Sequence, residues 1–168
     1  MARRVFYSFH YEKDFWRVNQ VRNIGALQQN QPVQKNAWEK VKRSGDAAIK
    51  RWIHEQMRGR SCVVVLIGEE THKRKWVLHE IKHGWEQGKG VLGVYIYNLL
   101  DQDGKRARKG ENPLEKVSHK GTPLSELAPT YDPGVFMGLM VRDPFTDIRR
   151  YLEGWVEEAI EARKRFEK

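Results

Sequence analysis

The chain has 168 residues, 39% hydrophobic and 32% charged, which suits a single domain with a buried core and a well-solvated surface. Lys and Arg number 31 against 22 Asp and Glu, a formal net charge of +9 that favours polyanions, either nucleic acid or a small phosphorylated ligand, with plain solubility as the other reading. The lone cysteine, Cys62, excludes an internal disulfide, and no apolar run approaches the ~20 residues of a membrane-spanning helix. Met1 to Arg4 is basic but lacks the apolar stretch of a signal peptide, so the expected location is the cytoplasm, with no membrane partner.

In chain order, Val5 to Phe9 is short, apolar and β-prone, a first strand. Asp14 is placed to cap a helix through about Leu27, with Phe15, Val18, Val21 and Arg22 at helical spacing. Residues 28–34 are amide-rich and contain Pro32, which predicts a loop with a short edge strand. Ser44 can cap a helix from Gly45 to Arg58, whose Ala48, Ile49, Trp52, Ile53 and Met57 recur on one side. Cys62 to Ile67 is a continuous apolar run ending at Gly68, as in a strand covered on both faces, and Cys62 is expected to be an inert core thiol. Thr71 can cap the next helix, which ends near Gly88; Val91 to Tyr97 is a further strand. Residues 98–134 hold four prolines and several glycines and read as a long loop. Val135 to Val141 regains strand character, and Pro144 suits the first turn of a last helix through about Phe166.

This alternation predicts an α/β fold: a doubly wound, mostly parallel sheet with helices on both faces. Ligands of such folds sit beyond the carboxyl ends of the strands. The segments after Phe9, after Ile67 and after Tyr97 are expected to converge there.

Within the third helix, His79, Glu80 and His83 spell H-E-x-x-H, a zinc-hydrolase pattern. A catalytic zinc needs a third protein ligand, and Glu86 and Gly90 stand where further ligands would follow; Lys82 adds a cation inside the motif. No metal is therefore expected. There is no G-x-x-x-x-G-K-[ST] and no G-x-G-x-x-G after the first strand. On a helical wheel, Val77, Leu78, Ile81 and Trp85 form the buried arc. Trp76 and Glu80 lie beside it, one turn apart on one stripe, able to line a cleft at the strand ends.

V-F-Y-S-F at Val5 to Phe9, C-V-V-V-L-I-G at Cys62 to Gly68 and K-W-V-L-H-E-I at Lys75 to Ile81 together resemble a TIR domain. The fuller opening, V-F-Y-S-F-H-Y-E-K-D-F-W-R-V-N-Q-V-R-N, is similar to the TIR-like ThsB proteins of the bacterial Thoeris antiphage system, which have a flavodoxin-like fold. The resemblance covers residues 3–97 well and the rest only in layout.

It implies an NAD+ nucleosidase or ADP-ribosyl cyclase with NAD+ as substrate and no separate cofactor. The product would be a cyclic ADP-ribose isomer that activates a ThsA-type effector after a phage-derived trigger, with homo-oligomerisation on activation. Trp76 and Glu80 match the W-x-x-x-E of NAD-consuming TIR domains, where the glutamate is catalytic. Trp76 or Phe9 would stack on a base, Arg17 or Arg22 would pair with the pyrophosphate, and Ser8 and His10 stand at the first strand's end as further substrate-binding candidates. The long loop 98–134 or a neighbouring subunit would exclude water. The other reading is a non-catalytic TIR-like adaptor or nucleotide-binding module.

Overall fold

A computed structural model describes residues 3–24, 27–29 and 40–167. Five parallel strands form one sheet in the order β2-β1-β3-β4-β5: β1 (Arg4–Ser8), β2 (Gln28–Gln29), β3 (Cys62–Ile67), β4 (Gly90–Tyr95) and β5 (Thr130–Tyr131). The helices α1 (Tyr11–Arg22), α2 (Asp46–Met57), α3 (Lys75–Glu86) and α4 (Pro144–Lys164) cover both faces. This is the doubly wound α/β arrangement expected from the strand–helix alternation.

The period-2 geometry of the strands divides the core into two layers. Val5, Tyr7, Cys62, Val64, Leu66, Leu92 and Val94 face α1 and α4, where Val18, Val21, Ile148, Leu152 and Val156 meet them. Phe6, Val63, Val65, Ile67 and Val91 face α2 and α3, against Ile49, Ile53, Met57, Val77, Ile81 and Trp85. Every residue of β3 is buried, which is why its sequence is a continuous apolar run rather than an alternating one. Cys62 lies within it, its thiol pushed far up by burial.

Three expected caps are replaced. His10, not Asp14, caps α1: its Nδ1 accepts from the Lys13 N–H at 3.3 Å, and the cap lies four residues earlier than expected. Asp14 is buried against Thr71, whose hydroxyl donates to Asp14 Oδ2 at 3.5 Å; burial lifts the Asp14 carboxyl to about 6 despite the opposing charge of Arg17. Thr71 starts a 3₁₀ turn (Thr71–Lys73) instead of capping α3, and its Oγ1 accepts from Gly68 N at 2.8 Å. Ser44 hydrogen-bonds back to Lys40 O, and Gly45, at φ 90°, precedes α2.

The long loop is better organised than its composition suggests. Leu114, Val117, Leu124 and Ala128 extend the α2/α3 core, and the loop supplies β5, the edge strand of the main sheet. The strand expected over 135–141 is not in that sheet; Val135–Phe136 and Leu139–Met140 pair with each other as a small hairpin. The predicted edge strand near residue 28 is β2, while residues 30–34, with Pro32, lie outside the described residues.

Gly90 opens β4 directly under α4; a Cβ there would lie 2.8 Å from Ile160 N and 3.0 Å from Ala159 C, both backbone atoms. Gly90→Ala is expected to lower stability by about 2 kcal/mol, because a helix backbone cannot step aside as a side chain can. Gly154→Ala, on α4 with open space around its Cβ, is expected to raise stability by ~0.5–1 kcal/mol through helix propensity. Urea unfolding of both variants checks the contrast.

Candidate active site

β1 ends in Ser8 just where α3 passes beneath it. Ser8 is fully buried and its hydroxyl donates to Glu80 Oε1 at 2.9 Å. Glu80 is itself 9% exposed, although its stripe on α3 adjoins the helix's apolar arc. Desolvation dominates its ionisation: the carboxyl is pushed up to about 8, with only the Ser8 hydrogen bond opposing the rise. Among the described residues no cation neutralises it, so the carboxyl holds its proton to higher pH than an ordinary glutamate.

A pocket opens over this carboxyl. Phe9 and Tyr11 wall it from the β1–α1 turn, Trp52 from α2, and Arg74 and Trp76 from the start of α3, with Glu80 in its lining. The Phe9 and Tyr11 rings lie 6.1 Å apart and Tyr11 continues to Phe15 at 5.4 Å, an aromatic rim leading out to solvent. Arg74 is the pocket's cation, and among the described residues no hydrogen bond or ion pair holds its guanidinium. Glu12 is the second acid in the lining.

The structure thus brings Ser8, Phe9, Trp76 and Glu80 together. His10 sits beside the pocket as the α1 cap, its imidazole pKa lowered first by burial and then by the charge of Arg74. Arg17 does not reach the pocket. Its Nε donates to Leu99 O at 2.8 Å and its Nη2 to Lys105 O at 3.0 Å, with Asp101 3.8 Å away, so its donors hold the start of the long loop. Arg22, the other arginine expected to serve, is likewise absent from the lining. The sequence reading missed Arg74, Tyr11 and Trp52. Arg74 stands two residues before the W-x-x-x-E stripe, and that proximity was the available signal; Trp52 is contributed by a helix far away in sequence, and no local pattern marks it. No residue of 98–134 lines the pocket, so the expected cover from that loop is not where the structure puts it.

The H-E-x-x-H histidines form a stack instead of a metal shell. His54 from α2 lies parallel to His83 with centroids 3.7 Å apart, and its Nε2 is 3.0 Å from His79 Nε2. Parallel rings do not aim three nitrogens at one point, and among the described residues no group of His, Cys, Asp and Glu is arranged to hold a metal. No described helix is long and apolar enough to cross a membrane.

A parallel sheet flanked by two helical layers, with a buried carboxyl and an aromatic pocket at the strand ends, defines a flavodoxin-like α/β domain with a candidate small-molecule site. Residues 6–101 match the family model of the Thoeris protein ThsB TIR-like domain, and the chain belongs to that family. It is also 38% identical over 126 residues, 71% of this chain, to a protein of Bacillus cereus (strain MSX-D12) named "Putative cyclic ADP-D-ribose synthase ThsB1". The match spans 65% of that relative's length.

Glu80 should leave a signature in folding. Its folded-state pKa of about 8 exceeds the ordinary glutamate value, so the folded protein holds the extra proton between those two pH values. The contribution is fully present below about pH 4.5 and is lost as pH rises through about 8. Glu80→Gln keeps the shape without the ionisation. It is expected to match the wild type near pH 5 and to exceed it by on the order of 2–4 kcal/mol at pH 8, read by urea unfolding across that range.

Proposed function

We propose that this protein cleaves NAD+ at the nicotinamide–ribose bond and releases a cyclic ADP-ribose-type product that activates a separate ThsA-type effector in antiphage defence. The observation that carries this reading is Glu80: a buried carboxyl that, among the described residues, has a hydrogen bond from Ser8 and no counter-ion, in an aromatic pocket that Arg74 also lines. The activity in the name of the Bacillus cereus relative supports the same chemistry.

Each lining group has work to do on a dinucleotide. The aromatic walls, Trp52 and Trp76 above all, offer faces to the cationic nicotinamide ring. Arg74 offers a planar fork to the pyrophosphate. A positively charged ring beside Glu80 favours its ionised form, so substrate binding itself lowers the raised pKa and sheds the proton. The C1′–N1 bond then breaks with its electron pair leaving on nicotinamide. That neutralises the ring and leaves positive charge on the ribosyl carbon and ring oxygen. The Glu80 carboxylate stabilises that charge, as in glycoside cleavage, and nicotinamide needs no general acid. A nucleophile from the substrate's own adenosine half closes the ring, and exclusion of water decides between this and hydrolysis. Ser8 orients the carboxyl and Phe9 shapes the mouth of the pocket; His10, as cap, fixes the turn that carries both.

The test is incubation with NAD+ in lysate from phage-infected cells, with mass analysis of the products. Nicotinamide and a cyclic product should accumulate. Glu80→Gln should lower their formation by about 10³-fold, as expected for loss of the main electrostatic stabiliser. Arg74→Ala should raise KM by about tenfold with a smaller change in kcat, because it removes a charge-assisted contact made in both ground and transition states. Nucleotide binding without nicotinamide release, indifferent to Glu80→Gln, would replace this reading with the adaptor one.

A further inference from the structure

The pocket over Glu80 holds a second carboxylate that the proposed reaction does not use. Glu12, in the first turn of α1, lines the same cavity, and its side chain is 59% exposed where Glu80 is buried. Arg74 is half-buried, between these extremes. The burial of these three ionisable groups therefore runs from floor to mouth: Glu80, Arg74, Glu12. His10 feels the charge of both Arg74 and Glu12, so the two flank one turn of the chain.

The cavity itself is about 80 Å³, far below the ~300 Å³ of a site that engulfs a whole ligand. It has room for one end of a dinucleotide, and the other end must lie across the rim. That rim is aromatic: the Tyr11 and Phe15 rings lie 5.4 Å apart, and Phe15 is 40% exposed. With the reactive ribose at Glu80 and the pyrophosphate at Arg74, the adenosine half falls on Tyr11, Phe15 and Glu12. The rings offer faces to adenine. A carboxylate offers acceptors to hydroxyls, and the adenosine ribose carries two.

The charged neighbours of Glu12 leave it free for this role. Lys42 Nζ is 3.7 Å from Glu12 Oε1, longer than a hydrogen bond, and its side chain is 43% exposed, so the pair is weak and exchangeable. Lys13, the next residue of α1, lies 3.2 Å from Glu70 and 3.8 Å from Glu69 instead. Among the described residues the Glu12 carboxylate accepts no hydrogen bond.

We propose, on the reading of this pocket as a dinucleotide site, that Glu12 receives the 2′- and 3′-hydroxyls of the adenosine ribose and so selects NAD+ over NADP+. The same pairing of an acid with the adenosine ribose serves other doubly wound dinucleotide folds. A 2′-phosphate takes away one hydroxyl donor and sets a like charge against the carboxylate. Lys42 does not offset this: to meet the phosphate it must leave Glu12, whose charge then faces the phosphate alone.

Calorimetric titration of the purified full chain with ADP-ribose and with 2′-phospho-ADP-ribose tests it. Both ligands carry the pyrophosphate and the adenosine half, and neither has a nicotinamide bond, so the readout needs no turnover. The wild type should bind ADP-ribose at least about 30-fold more tightly. Glu12→Gln should narrow the ratio to about threefold or less by removing the repulsion, and Glu12→Arg should reverse it by pairing with the 2′-phosphate. Glu12 is exposed, so both variants should unfold at the same urea concentration as the wild type. In the nicotinamide-release assay the preference should appear in KM more than in kcat, because the adenosine half lies away from the breaking bond. Equal affinity of the wild type for the two ligands, binding of neither, or a ratio unmoved in both variants overturns the proposal. Glu80-dependent nicotinamide release alongside any of those results leaves the reaction standing without this role for Glu12. Selective ADP-ribose binding that is lost in Glu12→Gln, with no nicotinamide released, removes the reaction and keeps the role.

Discussion

The arrangement of the pocket end depends on the hydrogen bond from Ser8 to Glu80. It joins the last residue of β1 to the second turn of α3 across the carboxyl end of the sheet, and both partners are buried. A buried carboxyl without a cation is costly when ionised, and one hydroxyl does not offset that cost. The domain tolerates it because β3, the strand between β1 and β4, is wholly apolar and packed on both faces, so the local penalty is spread over a large, well-packed core. A carboxyl already paired with arginine would have little attraction left for a cationic ligand in the pocket.

The two layers of the core carry different tasks. The α2/α3 layer shapes the pocket: Ile53 and Val77 anchor the walls in the core while Trp52 and Trp76 lean over the opening. The parallel histidines behind Trp76 fix the spacing of these two helices, with Trp76 edge-on to His79 at 5.7 Å. The α1/α4 layer carries the long C-terminal helix, which lays Ile148, Leu152 and Val156 against the other face of the sheet.

Much of this was legible in the sequence, for identifiable reasons. Continuous apolar runs at Cys62–Ile67 and Val91–Tyr97 have few alternatives to buried parallel strands, and the stripe carrying Trp76 and Glu80 follows from helical period alone. Caps were less legible, because Asp14, Ser44 and Thr71 are good capping residues that other contacts use: Asp14 and Thr71 meet each other in the interior, and Ser44 turns back to Lys40 O. The edge strand β5 is two residues long and sits between prolines and glycines, so its pairing with β4 is decided by the loop's anchors, such as Asn112 Nδ2 donating to Thr130 Oγ1 at 2.9 Å. Val135 to Val141 reads as a strand by composition, but the tight turn at Met137–Gly138 folds it on itself before it can reach the sheet.

The two arginines show why residue type alone cannot assign an anion site. Arg17 stands on the first helix after β1, near the place where such folds bind phosphates, yet its side chain is spent on the carbonyls of Leu99 and Lys105. Loops must satisfy their backbone groups, and a loop leaving a buried strand end takes its donors from the nearest helix. Arg74 escapes that demand because it precedes α3, where the exposed backbone groups are N–H donors that a cation cannot satisfy. A guanidinium placed at a helix amino end has no partner in its own helix and turns toward whatever anion the cavity admits. The same local rule that leaves α3 without a side-chain cap leaves Arg74, among the described residues, without an ion-pair partner in the pocket lining.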